Sequence, residues 1–514
     1  MDAVHGRRDD LQPGGAPRPM NRALAGLLAA LCLGAAAPAS SLAAHSVRIG
    51  IADDGIQRAD PGTAAATVAR WQELGIQVAR LHVRWVTIAP APGARRPPKR
   101  FHASDPDDPH YNWGALDRAV GLLRAAGIEP LLSVTGSGPL WSSTQPQLGN
   151  PRWRPSPYRF AQFATAVARR YRDSVSEYIV WNEPNQAGWL QPQFTCARVC
   201  TPESPNVYRH LFTAAAAAIR AADPGAQVYA GALAPRGSDP RSRNSAMRPL
   251  TFLRAFGCVD DRYRRLRHGR CAGFHAPLVD GISYHPHGVL RSPSQRNPQR
   301  DEAALADLGR LETVIDRVAA HGGLACTCAG RIPIHLTEFG YQTNPPDRYQ
   351  GVSLARQARW LQEAGYRAWR DPRIKTLVQY EWRDDPLIVK GPGARAYGGW
   401  QSGLLFADGR PKPVLAAFPV PLWVTARPGF AAVSLWGQVR PGDAHLVSLQ
   451  RRLPGRAWRT LGTIQTDVYG VFTAQLVLPA IAQLRFGYDD GEQMTYSQPV
   501  TVRRSVGVVP PRGR

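Results

Sequence analysis

Residues 46–83 read SVRIGIADDGIQRADPGTAAATVARWQELGIQVARLHV. SVRIGIA (46–52) is a β-rich run. TAAATVARWQELG (63–75) is helical and ends at Gly75, a residue that closes helices well. IQVARLHV (76–83) is a second strand. No G-x-G-x-x-G follows the first strand, where the chain runs Ala52-Asp53-Asp54-Gly55. The turn that cradles a dinucleotide's phosphates in a doubly wound sheet is therefore missing.

The same unit recurs along the chain. Further strands are read at 128–134, 177–182, 227–233, 280–285, 331–338 and 375–382. Helices are read at 112–127, 157–171, 207–222, 301–322, 353–369 and 412–418. In the helix at 157–171, Phe160, Phe163, Val167 and Tyr171 share one face. Eight strands alternating with seven or eight helices predict an α/β (β/α)8 TIM barrel over residues 45–419. A long insertion at 236–275 has no readable fold.

After about residue 420 the texture changes to six or seven short alternating runs without a helix, broken by turns such as Pro454-Gly455. This predicts a small all-β sandwich, immunoglobulin-like, over 420–505, with a loose tail at 506–514. At the front, MNRALAGLLAALCLGAAAPASSLAA (20–44) has the basic start, apolar middle and small residues of a secretory signal. Cleavage would follow Ala39 or Ala43, and residues 1–44 are set aside as extension and signal. An uncleaved N-terminal anchor is the alternative; otherwise no membrane association is expected.

The 514 residues carry 63 Lys+Arg against 39 Asp+Glu, a net charge of +24. Nearly all the cations are Arg. Attraction to polyanions is one reading and codon bias another. No basic run is interleaved with aromatics in the manner of a nucleic-acid site, so no nucleic-acid partner is expected. Of seven Cys, Cys32 falls in the signal. The other six form near pairs, Cys196/Cys200, Cys258/Cys271 and Cys326/Cys328, and local disulfides in an exported protein are the simplest expectation.

In a barrel of this kind the active site lies at the C-terminal strand ends. The fourth strand ends Trp181-Asn182-Glu183-Pro184-Asn185, and the seventh ends Thr337-Glu338-Phe339-Gly340. Each delivers a Glu where a closed barrel would aim both into one cleft. Two carboxylates across a cleft suit glycosidic bond cleavage, one giving a proton and the other ionised. A lone strand-end Glu would as readily be the ion-pair partner of an Arg.

VWNEPN (180–185) and LTEFGYQT (336–343) resemble clan A glycoside hydrolases, most closely the cellulase-like family 5 and the xylosidase/iduronidase-like family 39. The resemblance covers about residues 46–418 and implies a retaining enzyme on a (β/α)8 barrel. By it, Glu183 is similar to the acid/base and Glu338 to the nucleophile. Asn182 matches the residue that binds the sugar 2-hydroxyl, and Arg80 the cation that keeps the nucleophile ionised. Trp382 resembles the platform on which the sugar stacks, with core packing as its alternative. Trp141 and Trp189 would line neighbouring subsites or anchor loops.

One departure stands out. Where the clan has a Tyr after the sixth strand, this chain reads Tyr284-His285-Pro286-His287. His287 can still donate a hydrogen bond, though an imidazole titrates near neutrality. The resemblance implies a carbohydrate substrate with β-linkages, and no cofactor or metal. A metal held by His82, His285 and His287 is the minor reading, since the H-E-x-x-H spacing is lacking. A non-catalytic carbohydrate-binding barrel and a transglycosylase are the alternative functions.

Overall fold

The computed structural model describes residues 46–388, 393–426, 432–440, 442–478 and 481–503. The signal-like segment and the tail beyond 505 lie outside them. The described residues belong to one compact unit. Among them no helix is long and apolar enough to cross a membrane.

Eight parallel strands close into a barrel. They are β1 (Arg48–Ala52), β2 (Val78–Arg84), β3 (Glu129–Thr135) and β4 (Glu177–Val180). β5 (Gln227–Leu233), β6 (Gly281–Tyr284), β7 (Ile334–Phe339) and β8 (Ile374–Tyr380) complete it. Each strand pairs with its neighbours in sequence, and β1 pairs with β8 from Arg48↔Thr376 to Ala52↔Tyr380. The strands are buried on both faces, as closure beneath a helical ring requires. Inside, Ala52, Val78, Leu131, Ile179, Tyr229 and Val378 pack as one cluster contributed by six strands.

The helical ring comprises α1 (Pro61–Glu73), α2 (Gly114–Ala125), α3 (Pro157–Tyr171) and α4 (Ser204–Ala222). It continues with α5 (Pro249–Phe256), α6 (Leu308–Ala320), α7 (Leu354–Trp369) and α8 (Pro413–Ala417). α1 and α3 begin as their sequences dictate: Asp60 and Ser156 accept from the backbone N–H three residues on, each followed by Pro at the first helical position. Two expectations change. The helix read at 301–322 starts only at Leu308, because Asp307 accepts from the Asn297 and Ala304 N–H groups and holds 297–307 in a separate turn. The insertion at 236–275 is not without structure: it contains α5 and the Cys258–Cys271 disulfide. Cys196–Cys200 and Cys326–Cys328 are bonded as well.

Among the described residues the C-terminal part has eight strands, one or two more than expected. β9 (Leu422–Ala426), β10 (Ala432–Gln438) and β13 (Val471–Val477) form one antiparallel sheet. β11 (Leu446–Arg452), β12 (Arg459–Gln465), β14 (Ile481–Asp489), β15 (Met494–Tyr496) and β16 (Val500–Arg503) form the other. Leu422, Leu435, Val447, Phe472 and Phe486 from both sheets share one apolar core.

Trp436 of β10 leaves that core and packs on Tyr366 and Trp369 of α7, with ring centroids 6.0 and 6.1 Å away. Gln362 of α7 accepts from the Leu422 N–H at 3.0 Å. The Arg440 guanidinium lies 4.0 Å from the Phe418 ring, and burial pushes its pKa down to about 9. An apolar seam therefore fastens the sheets to the barrel. Trp436→Ala is expected to cost about 3–5 kcal/mol by emptying it, read as a lower urea midpoint.

Candidate active site

The groups at the barrel mouth come from six strands. Arg80 and His82 lie on β2; Asn182 and Glu183 follow β4; His285 and His287 follow β6; Glu338 is on β7. Asp54 follows β1 and Tyr380 ends β8. Two strand ends break the alternation of faces to deliver their carboxylates.

On β4, Ile179 points inward, so simple alternation would send Trp181 into the barrel and Asn182 out of it. Trp181 instead takes φ +70°, and its ring packs on Phe160 of α3 at 5.1 Å. That turns Asn182 inward, where its Oδ1 accepts from Arg80 at 3.0 Å. Gly136 makes room: a Cβ there would lie 2.3 Å from the Trp181 ring. Glu183 itself has φ +39°, a conformation few non-glycine residues hold without compensation elsewhere. On β7 the pairing with β8 shifts between Leu336 and Phe339, and this irregularity re-aims Glu338.

Arg80, 1% exposed, donates directly to Glu338 through Nη2. Its other terminal nitrogen lies 3.0 Å from His82 Nε2. His82 Nδ1 is 2.8 Å from Asp54, whose other oxygen accepts from the His82 N–H. A chain thus runs from Asp54 through His82 and Arg80 to Glu338. On the other flank, His285 Nδ1 lies 3.1 Å from Glu183 Oε1 and 3.5 Å from Glu338 Oε2. His287 Nε2 is 3.5 Å from the same Glu338 oxygen. One imidazole nitrogen thus faces both carboxylates.

The two carboxyl groups are driven apart in acidity. Burial, and then the nearby charge of Glu338, raise Glu183 to about 7. Burial also pushes Glu338 upward, but the Arg80 guanidinium together with His285 and His287 outweighs it and holds Glu338 well below the usual range. Burial keeps His285 far below its ordinary value, against the pull of the Glu338 charge beside it. Asp54 is pushed up by burial yet falls to about 2 through its bonds with His82. At neutral pH the mouth thus holds one ionised carboxylate beside one near the midpoint of its titration.

The aromatic expectations divide. Trp189 stacks on His82 at 5.5 Å and so flanks the cleft. Trp141 is buried against Trp85 and Phe101 and donates to the Pro90 carbonyl, which makes it a loop anchor. Trp382 is buried in the barrel core and borders a cavity of about 170 Å³ with Asp53 and Ile56, between the β1 and β8 loops. Trp400 lies 4.9 Å from His287 and 5.3 Å from Tyr380. Trp400, Tyr380 and Asp54 were missed. Asp54 carried the same signal as the two glutamates, an acid just past a strand end. Trp400 sits in the long segment after β8, where no periodicity marks it.

His285, His287 and Glu338 form a group whose donor atoms lie within 4.8 Å of one another. It differs from the grouping read in the sequence, since His82 turns to Asp54 instead. Arg80 already neutralises the Glu338 carboxylate, which disfavours a second cation there. Replacing Arg80 by Met is expected to move the Glu338 titration upward by more than one pH unit, followed by carbon NMR of labelled Glu.

No family model matches the chain, and no curated protein matches it either. Among solved structures it is similar to a glucosidase from Croceicoccus marinus, at 14% identity and TM-score 0.47, over 85% of this chain and 94% of that one. It is also similar to the endo-β-1,4-mannanase from Thermotoga petrophila, at 12% identity and TM-score 0.41, over 90% and 98%. A third is the β-glucosidase from Thermotoga maritima, at 12% identity and TM-score 0.42, over 68% and 81%. The barrel of this chain rests on its own strand pairing.

Proposed function

We propose that the chain is a secreted retaining glycoside hydrolase acting on a β-linked oligo- or polysaccharide. The observation that carries the reading is the pair Glu183 and Glu338, held at one imidazole nitrogen with opposite shifts in acidity. Glu183 gives its proton to the glycosidic oxygen while Glu338 attacks the anomeric carbon, and the C–O bond to the leaving group breaks. Glu183, now ionised, takes a proton from water, whose oxygen displaces Glu338 and frees the sugar. Arg80 keeps Glu338 anionic for the attack. Asn182, hydrogen-bonded to Arg80, is left to meet the neighbouring sugar hydroxyl.

The shared contact with His285 caps the gap between the two carboxylate oxygens near the lower edge of the inverting range. A retaining displacement needs roughly 5–5.5 Å between the carboxyl groups and an inverting one roughly 6.5–9.5 Å. The strand-end motifs support clan A, with family 5 or 39 as the nearest kin. The signal-like N-terminus and the three disulfides support export. The immunoglobulin-like reading of the C-terminal sheets belongs to this proposal, as does the barrel boundary near residue 419.

The test is release of nitrophenol from aryl β-glycosides and of reducing sugar from polysaccharides. Wild type is expected to turn over at least one substrate, with the β-anomer as first product by NMR. Glu338→Ala should remove turnover, and Glu183→Gln should lower it about 10²- to 10⁴-fold. Equal rates in wild type and Glu338→Ala would refute the enzyme reading as assigned, and no turnover of any substrate by wild type would leave a non-catalytic binder.

The pH profile follows from the same pair. Glu183 must be protonated to act, so kcat/KM is expected to fall as pH rises through about 7. Glu338 must be ionised, and it stays so far into acid, so the acid limb lies low. In Glu183→Gln the alkaline limb should vanish.

A further inference from the structure

The five-stranded C-terminal sheet is divided by charge along its strands. Arg451 and Arg452 end β11, Arg456 lies in the turn that follows, and Arg459 begins β12. Antiparallel pairing sets Gln483 of β14 opposite Arg452, and Arg485 opposite Gln450. Arg503 of β16 lies opposite Ile481. All six arginines therefore gather towards one end. The acids of these strands and turns, Asp467, Asp489, Asp490 and Glu492, lie at the other, beyond the pairs Leu446↔Gln465 and Val447↔Tyr488.

Barrel arginines such as Arg48, Arg220 and Arg254 each meet a carboxylate. None of the six on the sheet does so among the described residues. Two of them are instead laid flat. The Arg485 guanidinium lies 4.3 Å from the Trp458 ring and 3.8 Å from Tyr496, and Arg452 lies 4.8 Å from Trp458. Each donates through Nε to a glutamine, Gln450 or Gln483, at 2.8 Å. Both side chains are half-buried, and among the described residues neither guanidinium meets a carboxylate. Beside them is a cavity of about 400 Å³, bordered by Arg452, Arg456, Gln483 and Thr501.

We infer that this end of the sheet docks an acidic polysaccharide. Guanidinium forks match carboxylate and sulfate groups geometrically. The amides and hydroxyls of Gln450, Gln483, Thr460 and Thr501 lie among them and suit sugar hydroxyls. Arginines already cover the Trp458 and Tyr496 faces, so unstacked bases find no platform there, which favours polysaccharide over nucleic acid. The charge argument stands on the sheet alone; the glycosidase reading adds the choice of polysaccharide.

The experiment is affinity electrophoresis of the full chain carrying Glu338→Ala, which prevents digestion. Gels contain polygalacturonate, a neutral glucomannan or double-stranded DNA. Retardation by polygalacturonate alone is expected, fading at high salt. Arg456→Glu/Arg459→Glu, at two exposed residues, should weaken it about tenfold, and Arg95→Glu/Arg96→Glu, an equal charge change on the barrel, should not. Equal weakening by both pairs, or tighter retardation by DNA or glucomannan, would overturn the proposal. Retardation in a protein whose wild type cleaves no glycoside leaves the docking site standing and removes only the enzyme reading.

Discussion

The pairing of Arg80 with Glu338 is the contact on which the barrel mouth depends. Both side chains are removed from water, which is costly unless the geometry repays it. It does so through a network: Arg80 also holds Asn182 and is backed by His82 and Asp54. Three further strand ends are thereby tied to Glu338. The same cation is the largest of the influences that lower Glu338. Because Arg80 holds Glu338 ionised, the next carboxyl, Glu183, faces a fixed negative charge as well as burial, and both raise its pKa. The guanidinium, with burial and the two histidines, thus drives two chemically identical side chains apart in acidity.

That division needs the side chains to point the right way, and regular strands alone would not do it. Asn182 reaches Arg80 only because Trp181 adopts a left-handed backbone and sends its ring into the helical layer. Glu183 carries a positive φ beside it, and β7 breaks register before Glu338. Irregular backbone therefore falls where the chemistry is, held in place by packing such as Trp181 on Phe160 and by the space that Gly136 leaves. β5 is irregular as well, with Ala232 at φ +49° and a register shift between Gly231 and Leu233.

The C-terminal sheets contribute through their two surfaces. One presents Trp436 to the α7 helix and closes an apolar seam. The other turns arginines outward with no acidic partner among the described residues. The excess positive charge read from composition is thus partly a local arrangement, with cations gathered at one end of a sheet rather than spread evenly.

The alternation of strand and helix, and the acids placed just past strand ends, were legible in the amino-acid order. They follow from local periodicity and from the rule that a parallel barrel gathers its strand ends at one mouth. So were Arg80, Asn182, Glu183, His285, His287 and Glu338, which the structure brings together. Less legible were Trp400 and Asp54, the displacement of Trp382 into the core, and the turn of His82 away from the other histidines. These depend on which side chains meet across the ring, and such meetings are set by strand register and by single residues with unusual φ. Sequence by itself determined which elements form and where their polar ends lie. Only the tertiary structure decided which of those ends touch, because contacts between residues distant in the chain exist only once the barrel has closed.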